Sequence, residues 1–469
     1  MDRFKKLYIL LGILFVACAA TFMVIRTEEH KEQIKNSGEI ILELPSESVQ
    51  AFSWEYKGES LAFHKQETWL YDADEHFPVS EEKVRELLEP FQAFGASFVI
   101  EDVEDFGQYG LDTPICTISL STEEQSFEIK LGDYSKMDSE RYISIGDGNV
   151  YLAQHDPLDV FDAALSDMIA LDETPAFDHV SVIQFSGAQS YRITYEEESP
   201  GSYCADDVYY TTQDSKSRPL DSSKVDRYLQ CITDLNPVEY VSYNVTDEEL
   251  QAYGLDTPEL TITVDYTTEG EGGAKALESF VLYISPDPDE KKEAKEADET
   301  DPDAEISAYI RIGESQIVYK ISPENYRKLT AVSYNDLRHS EVFWADFSDI
   351  QQIDVSLEGN LYSLVPEKGR KGKEERTWLY QEEEVEIAGL RNALNALYAD
   401  EFTGETPAEK EEIRLTVYLD HENFPNSQIE LYRYDKTHCL AVVDGESVSL
   451  VERTAVVDLI EAIYAIVLD

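Results

Sequence analysis

The segment Tyr109-Gly-Leu-Asp-Thr-Pro114 recurs unchanged as Tyr253-Gly-Leu-Asp-Thr-Pro258, and a strand-like run follows each copy. Such an internal repeat indicates that the chain is built from related modules, which limits the possible architectures. It also indicates a structural role for the segment, because a repeated structural unit needs the same turns and helix ends in every copy.

The residues of the repeat predict the end of a short helix of about two turns, followed by the start of a strand. Gly110 and Gly254 come directly after the helix, where a left-handed backbone is needed. The aspartates can turn the backbone through their carboxylates, and proline is tolerated at the first position of a strand. The predicted structural motif comprises Tyr109, Gly110, Leu111, Asp112 and Pro114, and in the second copy Tyr253, Gly254, Leu255, Asp256 and Pro258. The alternative is that its tyrosines and aspartates form duplicated binding sites.

Residues around the motif are repeated as well. Apolar residues at helical spacing precede each copy, and Ser80 and Thr246 are placed to cap helices. Downstream, Tyr142-Ile-Ser-Ile-Gly146 matches Tyr309-Ile-Arg-Ile-Gly313. The second copy contains an additional acidic stretch, residues 286–305, which has no apolar periodicity and is predicted to be a disordered insert.

A third, diverged module follows. Thr377-Trp-Leu-Tyr380 repeats Thr68-Trp-Leu-Tyr71, but the Tyr-Gly-Leu-Asp segment is missing, and Gly404-Glu-Thr-Pro407 is its nearest remnant. The predicted fold class is α+β, an N-terminal transmembrane helix followed by three tandem modules of antiparallel sheet with packed helices. The predicted segments are a cytoplasmic tail (1–6), a transmembrane helix (7–25), a stalk (26–45) and modules 46–172, 173–343 and 344–469.

The N-terminus predicts a membrane location. Leu7 to Ile25 carries no charge and is long enough to span a bilayer core of about 30 Å. Basic residues precede it, so the N-terminus is expected in the cytoplasm and the bulk of the chain outside it. A cleaved signal peptide and a lipoprotein signal ending at Cys18 are the alternatives, and both give the same extracytoplasmic location.

Charge and motif content limit the possible functions. The net charge of −58 argues against nucleic acid as a partner. The sequence predicts no catalytic, cofactor-binding or metal-binding residues, since it lacks the spacings typical of nucleophile, zinc and phosphate-loop sites. Cys204 and Cys231 are the cysteines closest in sequence, and a bond between them is left open.

The anchor, the repeated Tyr-Gly-Leu-Asp-x-Pro segments and the Tyr-x-x-x-Gly hairpin together resemble the bacterial domain-of-unknown-function family 4340. The resemblance implies an accessory role beside an ABC-type export permease and supplies no catalytic residues. We therefore expect a non-enzymatic, membrane-anchored interaction or scaffold protein with a membrane-protein partner. The alternative is an extracytoplasmic hydrolase or ligand-binding protein that uses carboxylates and tyrosines in a cleft between modules.

Overall fold

The structure, a computed structural model, describes residues 38–468 except positions 102, 200, 214, 238, 270–274, 297–304 and 368–375. The predicted membrane segment 7–25 and most of the stalk lie outside the described residues. In the described part of the chain no helix is both long and apolar enough to cross a bilayer. The chain forms two compact units, of which unit 1 ends at Asp172 and unit 2 begins at Glu173.

Unit 1 contains a nine-stranded antiparallel sheet of order β1-β5-β9-β8-β7-β6-β2-β3-β4. Its strands are β1 (Glu39–Leu42), β2 (Val49–Tyr56), β3 (Glu59–Lys65), β4 (Trp69–Tyr71), β5 (Phe94–Ile100), β6 (Cys116–Thr122), β7 (Ser126–Ser135), β8 (Glu140–Ser144) and β9 (Val150–Ala153). Its α-helices are α1 (Glu81–Leu88) and α2 (Leu158–Phe161). Ser80 caps α1 as predicted, since its hydroxyl accepts a hydrogen bond from the Lys83 N–H group.

The first sheet of unit 2 has the order β13-β12-β11-β10-β15-β16-β17-β18-β14. Its strands are β10 (His179–Gly187), β11 (Tyr191–Tyr195), β12 (Tyr209–Gln213), β13 (Lys216–Pro219), β14 (Tyr240–Ser242), β15 (Leu260–Glu269), β16 (Lys275–Pro286), β17 (Ala308–Ile312) and β18 (Val318–Ile321). Its helices are α3 (Ser222–Thr233), α4 (Asp247–Ala252), α5 (Pro288–Glu296), α6 (Pro323–Thr330) and α7 (Tyr334–Leu337).

The second sheet of unit 2 has the order β22-β21-β20-β19-β24-β25-β26-β27-β23. Its strands are β19 (Ile350–Leu357), β20 (Asn360–Pro366), β21 (Trp378–Tyr380), β22 (Glu383–Val385), β23 (Ala399–Phe402), β24 (Glu411–Leu419), β25 (Asn426–Arg433), β26 (His438–Val443) and β27 (Glu446–Glu452). Its helices are α8 (Ala388–Asn395) and α9 (Arg453–Val467).

One order of eight strands is common to all three sheets. It runs β4-β3-β2-β6-β7-β8-β9-β5 in unit 1, and β12-β11-β10-β15-β16-β17-β18-β14 and β21-β20-β19-β24-β25-β26-β27-β23 in unit 2. The third sheet keeps this order although its sequence lacks the Tyr-Gly-Leu-Asp segment. The prediction of antiparallel sheets with packed helices is therefore confirmed.

Alternating burial along the strands places one face of each sheet in a core. In β24, Ile413, Leu415 and Val417 are fully buried, and the residues between them are half-buried. The apolar face of α9 packs into the same core through Leu459 and Ile463. This period-two pattern is typical of a sheet with helices on one face.

The prediction of a disordered insert at 286–305 is wrong for its first half. Strand β16 continues to Pro286, and α5 follows directly. The Asp287 carboxylate accepts hydrogen bonds from the N–H groups of Asp289 and Glu290 at the start of this helix. Polar contacts rather than an apolar face order the segment, so hydrophobic periodicity could not reveal it. Residues 297–304 lie outside the described part.

The four cysteines of the described residues are free thiols, so the bond left open between Cys204 and Cys231 is absent. Cys231 lies in α3, and Cys204 lies in the loop between β11 and β12. Cys116 and Cys439 are buried in strands, and burial raises the pKa of each thiol to about 12.

Candidate functional site

Both copies of the repeated motif form the predicted helix stop. Gly110 and Gly254 have φ angles of +71° and +70°, in the left-handed region. The N–H of Leu111 donates to the Phe106 carbonyl, and the N–H of Leu255 donates to the Leu250 carbonyl at 2.8 Å. This is the six-to-one hydrogen bond that accompanies a glycine helix stop.

The two helices that enter the stop differ in length. The second copy has α4, which Thr246 caps as predicted, and Glu249 completes a capping box with it. In the first copy the predicted two-turn helix is wrong, because only a 3-10 turn at Gly107–Tyr109 is present. The Asp105 carboxylate accepts from the Gly107 N–H, and glycine inside this segment disfavours a longer helix.

The motif tyrosines pack on the tyrosines of the repeated hairpin. The ring centroids of Tyr109 and Tyr142 are 5.0 Å apart, and those of Tyr253 and Tyr309 are 4.6 Å apart. We call each of these arrangements a joint, meaning the helix stop together with its tyrosine pair. The tyrosines thus contribute to packing, which favours the structural interpretation of the motif.

The other motif residues occupy equivalent places in the two copies. Leu111 and Leu255 are buried, Asp112 and Asp256 are exposed, and Pro114 and Pro258 are half-buried just before β6 and β15. Both aspartates are exposed, each at the surface of its own unit.

A polar cluster surrounds the second joint. Asp287, which is 5% exposed, accepts hydrogen bonds from the Tyr309 hydroxyl at 2.9 Å and from Lys320 Nζ at 2.8 Å. Lys320 also donates to Glu290 at 3.1 Å. Burial alone would raise the pKa of Asp287, but the hydrogen bonds from Lys320 and Tyr309 outweigh it and lower the pKa. The cluster therefore consists of charges that satisfy one another.

A pocket between the two sheets of unit 2 brings aromatic and charged side chains together. This inter-sheet pocket has a volume of about 260 Å³. Side chains from both sheets line it, and the aromatic ones are Tyr203, Tyr334, Trp344, Phe402 and Phe424. The charged ones are Arg218, Arg338, Glu341, Asp444 and Glu446, together with His339.

Behind the pocket wall, Asp207 is 2% exposed and satisfied by three donors. Its oxygens contact His339 Nε2 at 2.8 Å, Trp344 Nε1 at 3.0 Å and the Ser202 hydroxyl. The His339 ring stacks on Trp344 with centroids 4.3 Å apart. These contacts hold the imidazole in one orientation.

Two of the acids that face the pocket, Glu446 and Asp444, are engaged as well. Glu446 of β27 accepts from Arg218 at 2.7 Å and from Lys216, both on β13, so it joins the two sheets. Hydrogen bonds from Lys216 and Arg218 lower the pKa of Glu446. Asp444 accepts from the Gln428 N–H at 2.7 Å and from the Ser427 hydroxyl.

Arg338 stands apart from these pairs. Its guanidinium lies 4.4 Å from the ring centroid of Phe402 and 4.9 Å from that of Tyr334. Among the described residues no carboxylate lies within ion-pair distance of it. Burial lowers the pKa of Arg338, as expected for a cation in a partly apolar environment.

One group of possible metal ligands adjoins the pocket. Atoms of Asp221, His339 and Glu341 lie within 4.8 Å of one another. The Asp221 carboxylate already caps α3 through the N–H groups of Ser223 and Lys224, and His339 already contacts Asp207. Each of these two ligands therefore has a structural use, which does not favour a metal site.

Carboxylates and tyrosines meet both at the inter-sheet pocket and at a second cavity of about 330 Å³, which residues of the first sheet of unit 2 and of α3 line. Tyr195, Tyr209, Asp178 and Asp226 line the second cavity together with His179.

The alternative interpretation of the sequence placed a cleft between modules, but it named none of the residues that line the inter-sheet pocket. Its polar residues come from distant segments, which include the local charged runs Arg338-His-Ser-Glu341 and Asp444-Gly-Glu446. Nothing in the spacing indicates that the loop carrying Tyr203 and Asp207 would meet the first of these runs. The pairing of the two sheets in unit 2 creates the site.

Comparison with protein families places the chain. The family model described as Domain of unknown function (DUF4340) matches residues 69–258 and 211–416, more than half of the chain. Comparison with curated proteins gave no significant match, and comparison with solved structures gave none either. The matched ranges include both copies of the Tyr-Gly-Leu-Asp-Thr-Pro segment. The chain therefore belongs to the DUF4340 family.

Proposed function

We propose that this chain is a non-enzymatic interaction protein, anchored in the cell membrane through residues 7–25, with its three sheets outside the cytoplasm. Its partner is a membrane protein, the permease of an ABC-type export system. The N-terminal apolar run and the basic residues before it support the location.

The observation that carries the proposal is the repetition of one sheet and one joint. The same eight-strand order occurs three times, and the joint occurs twice with its side chains engaged in packing and helix termination. Tandem repeats of one structural unit are typical of proteins that present extended binding surfaces. The engagement of Asp207, Asp444 and Glu446 by structural partners gives further support to a role without acid–base chemistry.

Crosslinking in native membranes tests the partner. The full chain, tagged after its last residue, is crosslinked in intact cells and purified from detergent. We expect a permease subunit in near-stoichiometric amount, and its loss when residues 1–25 are replaced by a cleavable signal sequence. Purification of the crosslinked chain without any permease would overturn the proposal.

Thiol labelling tests the orientation. Ser60 is exposed in unit 1, so Ser60→Cys should react with a membrane-impermeant maleimide in intact cells. Lys5→Cys, in the predicted cytoplasmic tail, is the matched control and should react only after lysis. Both variants need Cys204 and Cys231 replaced by serine, because these thiols are half-exposed. Labelling of Lys5→Cys in intact cells would contradict the orientation.

A further inference from the structure

We propose that the inter-sheet pocket of unit 2 binds a carboxylate carried on an aromatic or apolar body, with Arg338 as the cation that receives it. This inference does not depend on the proposed membrane role. It concerns a site that the repeated motif does not contain.

The unpaired state of Arg338 is the first observation. The chain has 96 acidic and 38 basic residues, and other cations at the pocket and at the second joint are paired with carboxylates. Lys216 and Arg218 share Glu446, and Lys320 holds both Asp287 and Glu290. Arg338 contacts two aromatic rings instead. A half-buried guanidinium without an anion is unfavourable unless a partner is supplied.

The position of the neighbouring acids is the second observation. Glu446 and Asp444 face the same pocket, yet each is held by other donors. Glu341 lies 3.9 Å from His339 Nδ1. None of these carboxylates, and none among the other described residues, lies within ion-pair distance of Arg338, so an incoming carboxylate would meet its planar fork of donors. The guanidinium can donate two parallel hydrogen bonds to the two oxygens of a carboxylate, which the compact ammonium of a lysine cannot do.

The shape and lining of the pocket define the rest of the ligand. A volume of about 260 Å³ accommodates a single ring with a short acidic chain. Phe402 and Tyr334 flank the guanidinium, while Trp344 and Phe424 line the remaining wall. Such a lining favours a flat apolar body beside the charged group. The carboxylate can come from a free small acid or from the C-terminus of a polypeptide.

Ligand-observed NMR on the full chain in detergent tests this proposal. The small probes are phenylacetate and its neutral analogue phenylacetamide. The peptide probes are an acetylated tetrapeptide that ends in phenylalanine, as the free acid and as the amide. We expect each acid to bind at least about tenfold more tightly than its amide, corresponding to about 1.4 kcal/mol.

Variants tie the selectivity to the pocket. Arg338→Gln should reduce affinity for the acids to that for the amides, and Arg338→Lys should give an intermediate value because it keeps charge without the fork. Arg327→Gln is the matched control, since Arg327 is exposed on α6 and does not line the pocket. If Arg338→Gln does not fold, the acid-to-amide ratio of the unmodified chain and the Arg338→Lys value decide the outcome.

Each outcome has a defined meaning. Tighter binding of the peptide acid than of phenylacetate supports a polypeptide terminus as the source, and the reverse supports a small acid. Equal binding of acid and amide by the unmodified chain overturns the proposal. Unchanged acid binding by folded Arg338→Gln overturns it as well.

Discussion

The first and second joints are built from the same six residues but are secured by different contacts. In unit 1 the joint lies against Gly132 of β7, where a Cβ atom would be 2.2 Å from the Tyr109 carbonyl oxygen. Ser285 of β16 is the residue of unit 2 that corresponds to Gly132, because each directly follows the residue that pairs with the first residue of the preceding strand. The Ser285 hydroxyl donates to the Gly254 carbonyl at 2.7 Å and accepts from the Glu259 N–H. The first joint therefore uses close backbone contact, and the second uses a side chain.

The ion pairs beside the two joints differ in how far their cations are buried. In unit 1, Arg141 pairs with Asp156 at 2.8 Å and also donates to the Gly132 carbonyl, and both side chains are nearly buried. In unit 2, Lys320 with Asp287 and Glu290 supports the tyrosine pair, and Lys320 is 34% exposed. The two copies of the motif are thus identical in sequence but contact different surrounding residues. We expect unit 1 to be the more sensitive to substitution at its joint.

The largest effect is expected for Arg141→Met. Removing one partner of a nearly buried ion pair leaves the Asp156 charge uncompensated, which costs about 3–4 kcal/mol in the free energy of unfolding. The matched variant Lys320→Met should cost less, about 1–2 kcal/mol, because buried Asp287 keeps the hydrogen bonds from the Tyr309 hydroxyl and from two backbone N–H groups. Hydrogen exchange with mass spectrometry reports each unit separately. Equal losses in the two units would remove the distinction drawn here.

The second largest loss of stability is expected when Gly132 and Ser285, which contact the two joints, are each replaced by the residue found in the other unit. Gly132→Ser should cost about 3 kcal/mol, since the new side chain collides with the backbone of Tyr109 and Leu111 must shift. The reverse change, Ser285→Gly, removes two hydrogen bonds and should cost about 1–2 kcal/mol. Denaturant unfolding followed by hydrogen exchange in β7 and β16 measures both. If Gly132→Ser is tolerated, the two joints are interchangeable.

These contrasts also show how far the sequence could lead. The glycine stop was predictable from Gly110 and Gly254, because few residues other than glycine adopt a left-handed backbone. The triple repetition of a sheet was predictable from apolar spacing and from recurring tetrapeptides. The ordered segment that begins at Asp287 was not predictable, because its contacts involve Lys320 and Tyr309, which are distant in sequence. The inter-sheet pocket was hidden for the same reason, because Arg338 and Phe402 meet only when two sheets pack.

Substitution of alanine for Gly110 or Gly254 compares the crowding around the two helix stops. Gly110→Ala should cost about 2–3 kcal/mol, because the left-handed penalty adds to a contact of 2.9 Å with the Asp133 backbone nitrogen. At Gly254 a Cβ atom would meet Ser285 at an ordinary 3.5 Å, so Gly254→Ala should cost only about 1 kcal/mol. Thermal unfolding of both variants measures the difference. A larger loss for Gly254→Ala would contradict the crowding at the first joint.

The smallest effect isolates the hydroxyl of the second tyrosine pair. Tyr309→Phe keeps the ring on Tyr253 but removes the hydrogen bond to buried Asp287, so we expect a loss of about 1 kcal/mol in unit 2. Tyr142→Phe is its counterpart in unit 1. Within the described residues the Tyr142 hydroxyl has no such partner, so its removal should leave stability within about 0.5 kcal/mol. The double variant Tyr309→Phe, Lys320→Met then measures the coupling between the two donors to Asp287. If the loss of the double variant equals the sum of the two single losses, the hydroxyl and the ammonium act independently. A loss smaller than that sum would mean that the cluster orders the second joint as one group.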